Sequence, residues 1–208
     1  ELCRHRGVEH LVYASSSSVY GDSATPPFSE DQRIDRPRSL YAATKAANEL
    51  MAYTYAQLFG LKATGLRFFT VYGPWGRPDM APLLFSRAVL AGRPIQVFNE
   101  GRMQRDFTHV SDIVAGILGA LAHPSAEPVA HQVFNLGNHT PIELEYFISV
   151  IEQAAGVPAQ KVYKPMQPGD MVRTMADTTR ARAAFGFEPR MPIEQGLPPV
   201  VAWCRDYF

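Results

Sequence analysis

The 208-residue chain is 46% apolar, enough for one sizeable core or two small ones. Lys+Arg and Asp+Glu number 20 each, and the zero net charge argues against a nucleic-acid surface. Two cysteines, Cys3 and Cys204, stand near opposite ends, which gives no disulfide framework and no metal spacing. No apolar run reaches membrane-span length and Glu1–Arg6 does not read as a signal peptide, so two ordinary thiols in a cytoplasmic protein are expected.

In chain order, Glu1–Arg6 reads as the tail of a helix capped by Gly7. His10–Ala14 predicts a central strand that runs into the four serines Ser15–Ser18 and then Val19-Tyr20-Gly21. Residues 22–38 hold Pro26, Pro27 and Pro37 and predict a loop. Leu40–Phe59 predicts a long helix ended by Gly60, with apolar positions that exceed one stripe and so predict burial on two faces. Ala63–Tyr72 predicts one strand, closed by Gly73-Pro74, and Gly73–Ala81 a loop. Leu83–Leu90 reads as a helix and Ile95–Phe98 as a short strand. Ser111-Asp112 reads as the N-cap of a helix over Ile113–Ala122, and Gln132–Gly137 as a buried strand. Pro141–Ala155 predicts a helix, Val162-Tyr163 a strand, Gln167–Asp170 a turn and Asp177–Phe185 a helix capped by Gly186. A final helix over Ile193–Phe208 is expected to be broken by Pro198 and Pro199.

The chemistry starts at Tyr41 and Lys45, four residues apart on one helix face. An ammonium beside a phenol favours the phenolate and makes a tyrosine that moves protons near neutral pH. Tyr-x-x-x-Lys is also a common solvated surface pair. Its neighbours distinguish this one: an apolar run ending in serines precedes it, and one ending in Thr70-Val71-Tyr72-Gly73-Pro74 follows. Strand, helix, strand makes a βαβ unit with a parallel sheet, whose ligands bind beyond the carboxyl ends of the strands. The six histidines show no metal spacing, so no metal is expected.

Ser15-Ser16-x-x-Val19-Tyr20-Gly21, Tyr41-x-x-x-Lys45 and Leu66-Arg67-Phe68-Phe69-x-Val71-Tyr72-Gly73-Pro74 together resemble the extended short-chain dehydrogenase/reductases, the nucleotide-sugar epimerases and dehydratases. Gly73-Pro74-Trp75-Gly76-Arg77-Pro78-Asp79-Met80-Ala81 is similar to the UDP-glucuronate 4-epimerases within that family. The resemblance implies an α/β fold: the C-terminal part of a Rossmann-type parallel sheet with a small α/β substrate-binding domain. Residues 1–73, with 107–140 returning to them, would form the second half of an NAD-binding domain; 74–106 and 141–208 would bind the nucleotide sugar. The family's Gly-x-x-Gly-x-x-Gly phosphate cradle has no counterpart here, which gives the expectation of a fragment of a longer chain, inactive alone, or else a truncated homologue.

By the same resemblance Tyr41 is the general base, Lys45 lowers its pKa and holds the nicotinamide ribose, Ser16 binds the reacting oxygen, and Phe69 joins them at NAD. Ser17 and Ser18 stand where dehydratases carry an Asp-Glu pair, which favours epimerisation over water elimination. Thr70, Arg77 and the two serines would hold a glucuronate carboxylate, against the plainer readings of a strand-end cap and a surface-loop arginine. Ala81 joins the substrate set, Gln96, Val97 and Phe98 meet uracil, Arg105 takes the diphosphate, and Asp170 a ribose hydroxyl or an arginine such as Arg173. Gln167 replaces an arginine of many relatives. Asp106 is expected to pair with Arg105, and His109 to be a packed strand histidine. The helix of Tyr41 and Lys45 would mediate a homodimer. UDP-glucuronate to UDP-galacturonate is the implied reaction. A UDP-hexose 4-epimerase, and a non-catalytic remnant that only binds nucleotide sugar or dimerises, are the alternatives.

Overall fold

A computed structural model describes residues 1–127, 129–167 and 170–208. The elements in order are α1 (Leu2–His5), β1 (His10–Ser16), α2 (Leu40–Phe59), β2 (Lys62–Phe68), β3 (Thr70–Tyr72), α3 (Ala81–Leu90), β4 (Ile95–Phe98), β5 (Gln104–Arg105) and β6 (Phe107–His109). They continue with α4 (Val110–Ala122), β7 (His131–Leu136), β8 (Ile142–Glu143), α5 (Leu144–Ala155), β9 (Lys161–Lys164), α6 (Thr179–Phe185) and α7 (Ile193–Tyr207). The turn expected at Gln167–Asp170 falls partly outside the described residues, at 168–169.

The predicted βαβ unit is present. β1 pairs parallel with β2 and β2 with β7, giving one parallel sheet in the order β1-β2-β7. Ser39 caps α2: its Oγ accepts from the Ala42 amide at 3.1 Å. At the other end Gly60 takes a left-handed conformation, φ 65°.

Four expectations change. The strand over 63–72 is two: β2 stops at Phe68, and β3 leaves the sheet to pair parallel with β6. Phe69 marks the switch, its ring buried with Tyr20 and Phe28 under the loop 22–38. The cap of α4 is His109, whose Nδ1 accepts from the Ser111 amide at 3.2 Å, rather than Ser111-Asp112. Ile142-Glu143 is claimed by an antiparallel pairing with β5, so α5 begins only at Leu144. Finally α7 is unbroken through Pro198 and Pro199. An interior proline costs about 3 kcal/mol. Burial of Leu197, Val200, Val201 and Cys204 opposes this, at about 1.5–3 kcal/mol per large apolar side chain.

The expected two-face burial of α2 is also corrected. Its buried residues are Ala42, Glu49 and Ala56, a narrow seven-residue stripe against the sheet, while Leu40, Leu50, Met51, Tyr53, Leu58 and Phe59 are exposed. The largest core instead lies among α3, α5 and α7, with Phe107 stacked on Phe147 at 4.2 Å. A second core, from Leu66, Ile113, Phe134, Leu136, Ala181 and Phe187, fills the space between the sheet, α4 and α6.

Candidate active site

The carboxyl ends of β1 and β2, the start of α2 and the loop 73–80 enclose a crevice of about 560 Å³. Ser16, Ser17, Tyr41, Lys45, Phe69, Thr70 and Arg77 all line it. Residues spread over the first 77 positions therefore meet, because parallel strands deliver their ends to one edge of the sheet.

α2 sets Tyr41 and Lys45 one turn apart. The Lys45 ammonium lies 5.7 Å from the Tyr41 ring centroid and donates to the Ala14 carbonyl at 3.1 Å, which ties the helix to the end of β1. Tyr41 is 53% exposed, so its phenol is open to a ligand. Ser16 accepts from the Ser18 amide at 3.2 Å and from the Ser18 hydroxyl at 2.8 Å, which fixes both oxygens in a short helical turn over residues 17–20.

Beneath these groups runs a buried polar network that the sequence reading missed. Arg67 on β2 grips Glu49 on α2 through two bonds, Nε–Oε1 at 2.9 Å and Nη2–Oε2 at 2.7 Å. Glu49 also accepts from the Ser15 hydroxyl at 2.5 Å. Arg67 donates to the Tyr20 hydroxyl at 3.0 Å, and Tyr20 donates to Asn135 on β7 at 2.7 Å. Burial pushes the Tyr20 phenol up to about 12, the nearby Arg67 opposing, so it stays a donor. One signal was available: Glu49 follows Lys45 by four residues, hence on the same helix face. Trp75, Met80 and Val110 also line the crevice and were not anticipated in that role, while Tyr72 lies at the strand end where it was expected.

Arg77 is exposed and forks onto Asp79, Nε–Oδ1 at 3.1 Å and Nη2–Oδ2 at 2.6 Å. Its pKa is held above the usual guanidinium value, by the Asp79 hydrogen bond first and then by the Asp79 charge. The other expected substrate residues stand away from this crevice's lining. Ala81 opens α3. On β4, Gln96 is exposed, Val97 buried and Phe98 half-buried, and the strand pairs with β9. Arg105 donates to the Gln104 and Val172 carbonyls, and burial lowers its pKa while Asp170 opposes. The expected Arg105–Asp106 ion pair is absent among the described residues. Asp106 instead accepts from the amides of Asn138, His139 and Ala176 and from Thr108, and so knits three segments. The Asp170 carbonyl accepts from Arg38, while Arg173 reaches the Met175 sulfur.

Ser16, Tyr41 and Lys45 put a hydroxyl, a phenol and an ammonium in one place, with Phe69 lining the same crevice, which fits the nicotinamide-ribose end of a dinucleotide. None of the described residues forms a group of three or more His, Cys, Asp and Glu able to hold a metal ion.

Residues 1–137 match the model of the NAD dependent epimerase/dehydratase family. The chain belongs to this family. It is 48% identical over 222 residues to an uncharacterized 37.6 kDa protein of Escherichia coli O111:H-, covering 100% of this chain and 66% of that protein. It is 44% identical over 222 residues to UDP-glucuronate 4-epimerase 2 of Arabidopsis thaliana, covering 100% of this chain and 51% of that one. Among solved structures it superposes on the UDP-glucuronic acid 4-epimerase of Bacillus cereus, in complex with UDP-glucuronic acid and NAD, with a TM-score of 0.91. That pair shares 30% identity over 99% of this chain and 64% of the other. The family member thus spans about half to two thirds of the length of these relatives. The superposition agrees with the expected α/β fold and with the parallel sheet seen here.

Proposed function

We propose that this chain carries the catalytic base and the sugar-nucleotide side of an NAD-dependent UDP-sugar 4-epimerase, with UDP-glucuronate as substrate. The observation that supports it is the convergence of Ser16, Ser17, Tyr41, Lys45, Thr70 and Arg77 on one crevice. Relatives named UDP-glucuronate 4-epimerase, and solved complexes with UDP-glucuronic acid and NAD, support the substrate and the cofactor.

Ser16, Tyr41, Lys45 and Phe69 would hold the nicotinamide end of NAD, which when bound accepts a hydride from the sugar and returns it. Tyr41 takes the proton of the C4 hydroxyl as general base, so that the C4–H bond can break and a 4-keto sugar form. Lys45 stabilises the phenolate electrostatically. Ser16 donates to the sugar oxygen. The keto sugar turns over, Tyr41 gives the proton back, and C4 emerges inverted. The Ser17-Ser18 pair has no carboxyl to eliminate water. A 4-keto glucuronate is a β-keto acid that loses carbon dioxide readily, so its carboxylate must be held. Arg77 supplies the charge, and Thr70 and Ser17 the hydrogen bonds, each worth about 1.5–3 kcal/mol when charge-assisted. Arg105 takes the diphosphate, with β4 and Asp170 at the nucleoside and Ala81 opening the helix beside them. The exposed apolar side of α2 seats a second copy of the chain.

Tyr41→Phe tests the base. The variant is expected to retain UDP-glucuronate binding by calorimetry. Epimerisation, read as UDP-galacturonate formed in the presence of NAD+, should fall at least a hundredfold. Turnover near wild type in that variant refutes the assignment.

A further inference from the structure

The loop 73–80 brings Arg77 to the crevice, and Trp75 lies two residues before it. Trp75 has φ 62°, a left-handed conformation that is strained for an aromatic residue. The following turn is tight, since a Cβ on Gly76 would stand 3.1 Å from the Gly73 carbonyl and 3.2 Å from Leu83. Trp75 is 73% exposed, so burial does not hold it there. Its neighbours on α7 do: the ring meets Trp203 at 5.2 Å and Tyr207 edge-on at 5.3 Å, and those two rings stack on each other at 5.1 Å. Trp75 therefore lines the crevice and also packs on the C-terminal helix.

We propose that the Trp75–Trp203–Tyr207 stack is a latch that positions Arg77 for the carboxylate of a sugar acid, with Trp75 as a positioning residue. The inference rests on the role assigned to Arg77 above. The strained backbone is a state the loop leaves once the stack is lost, and Arg77 then samples directions away from the crevice. An unlatched protein keeps its affinity for the nucleotide and loses its preference for the acid. Both tryptophans of the chain sit in the stack, so intrinsic fluorescence reports it directly.

The test is calorimetric titration with UDP, UDP-glucose and UDP-glucuronate of the wild type, Tyr207→Ala and Trp75→Ala. Both side chains are exposed, so their loss keeps the fold, and alanine at residue 75 keeps the backbone strain while removing the stack. Thermal melting checks this. The wild type is expected to prefer UDP-glucuronate to UDP-glucose. Each variant should weaken UDP-glucuronate about tenfold and leave UDP unchanged. An equal loss for UDP and UDP-glucuronate, or an unchanged preference, overturns the latch while leaving Arg77 in place. A wild type that binds the acid no better than UDP-glucose overturns the Arg77 reading, and the latch with it.

Discussion

Glu49→Gln is the sharpest probe of what holds the site together. The side chains of Arg67 and Glu49 are 5% and 6% exposed, and they meet through two hydrogen bonds with a third from Ser15. Glutamine keeps the shape and removes the charge, so Arg67 stays buried without its counter-ion. Breaking one side of such a pair costs about 3–5 kcal/mol. A domain has about 5–15 kcal/mol in all, so the loss is a large share. Glu49→Met with Arg67→Met removes both charges and should recover most of the loss, because the desolvation penalty goes with them. Asp79→Asn is the control: it breaks an exposed pair, screened by solvent, and should leave the urea midpoint essentially unchanged. Urea unfolding of the four proteins measures all three quantities. A loss below about 1 kcal/mol for Glu49→Gln, or a double variant no more stable than Glu49→Gln, refutes the reasoning.

A pH dependence follows from His131. Burial lowers its pKa below the usual histidine value, and its Nε2 is hydrogen-bonded to the Tyr13 hydroxyl at 2.9 Å. The unfolded chain takes up the proton as pH falls through about 6.5 while the folded one resists, so stability is present above that range and lost below it. His109, shifted the same way, adds to the slope. Urea midpoints at about pH 7.5 and 5.5 should therefore differ less in His131→Gln than in the wild type; identical slopes contradict the assignment. Gly196→Ala acts on packing: its Cβ would stand 2.2 Å from the Tyr72 hydroxyl, an overlap worth about 1–3 kcal/mol. That hydroxyl is buried without a partner among the described residues, so adding Tyr72→Phe should recover part of the loss, read as the melting temperature, while two ring carbons still stand 2.9 Å from the added Cβ.

Much of the fold was readable because its signals are local. Ser39 and Gly60 bound α2 through a hydroxyl cap and a left-handed glycine, both chemistry of the residue itself. The strand–helix–strand pattern with serines at a strand end implied a parallel sheet and a crevice at its edge, and the crevice is there. The elements that were misread depend on distant partners. β3 is a separate strand because Phe107–His109 offers it a ladder, and Ile142-Glu143 is not helical because β5 does the same. His109 caps α4 only because the chain turns there with the ring folded back on the Ser111 amide.

The order of residue types along the chain determined the family, the parallel architecture, and the pairing of Tyr41 with Lys45, since helical periodicity alone puts them on one face. The three-dimensional packing decided what surrounds them. It gave Glu49 to Arg67 and Asp106 to three backbone amides, and it left one side of α2 uncovered. It also stacked Trp75 on a helix more than a hundred residues away. Those contacts rest on burial and long-range geometry, whose energies belong to pairs of residues rather than to any one of them.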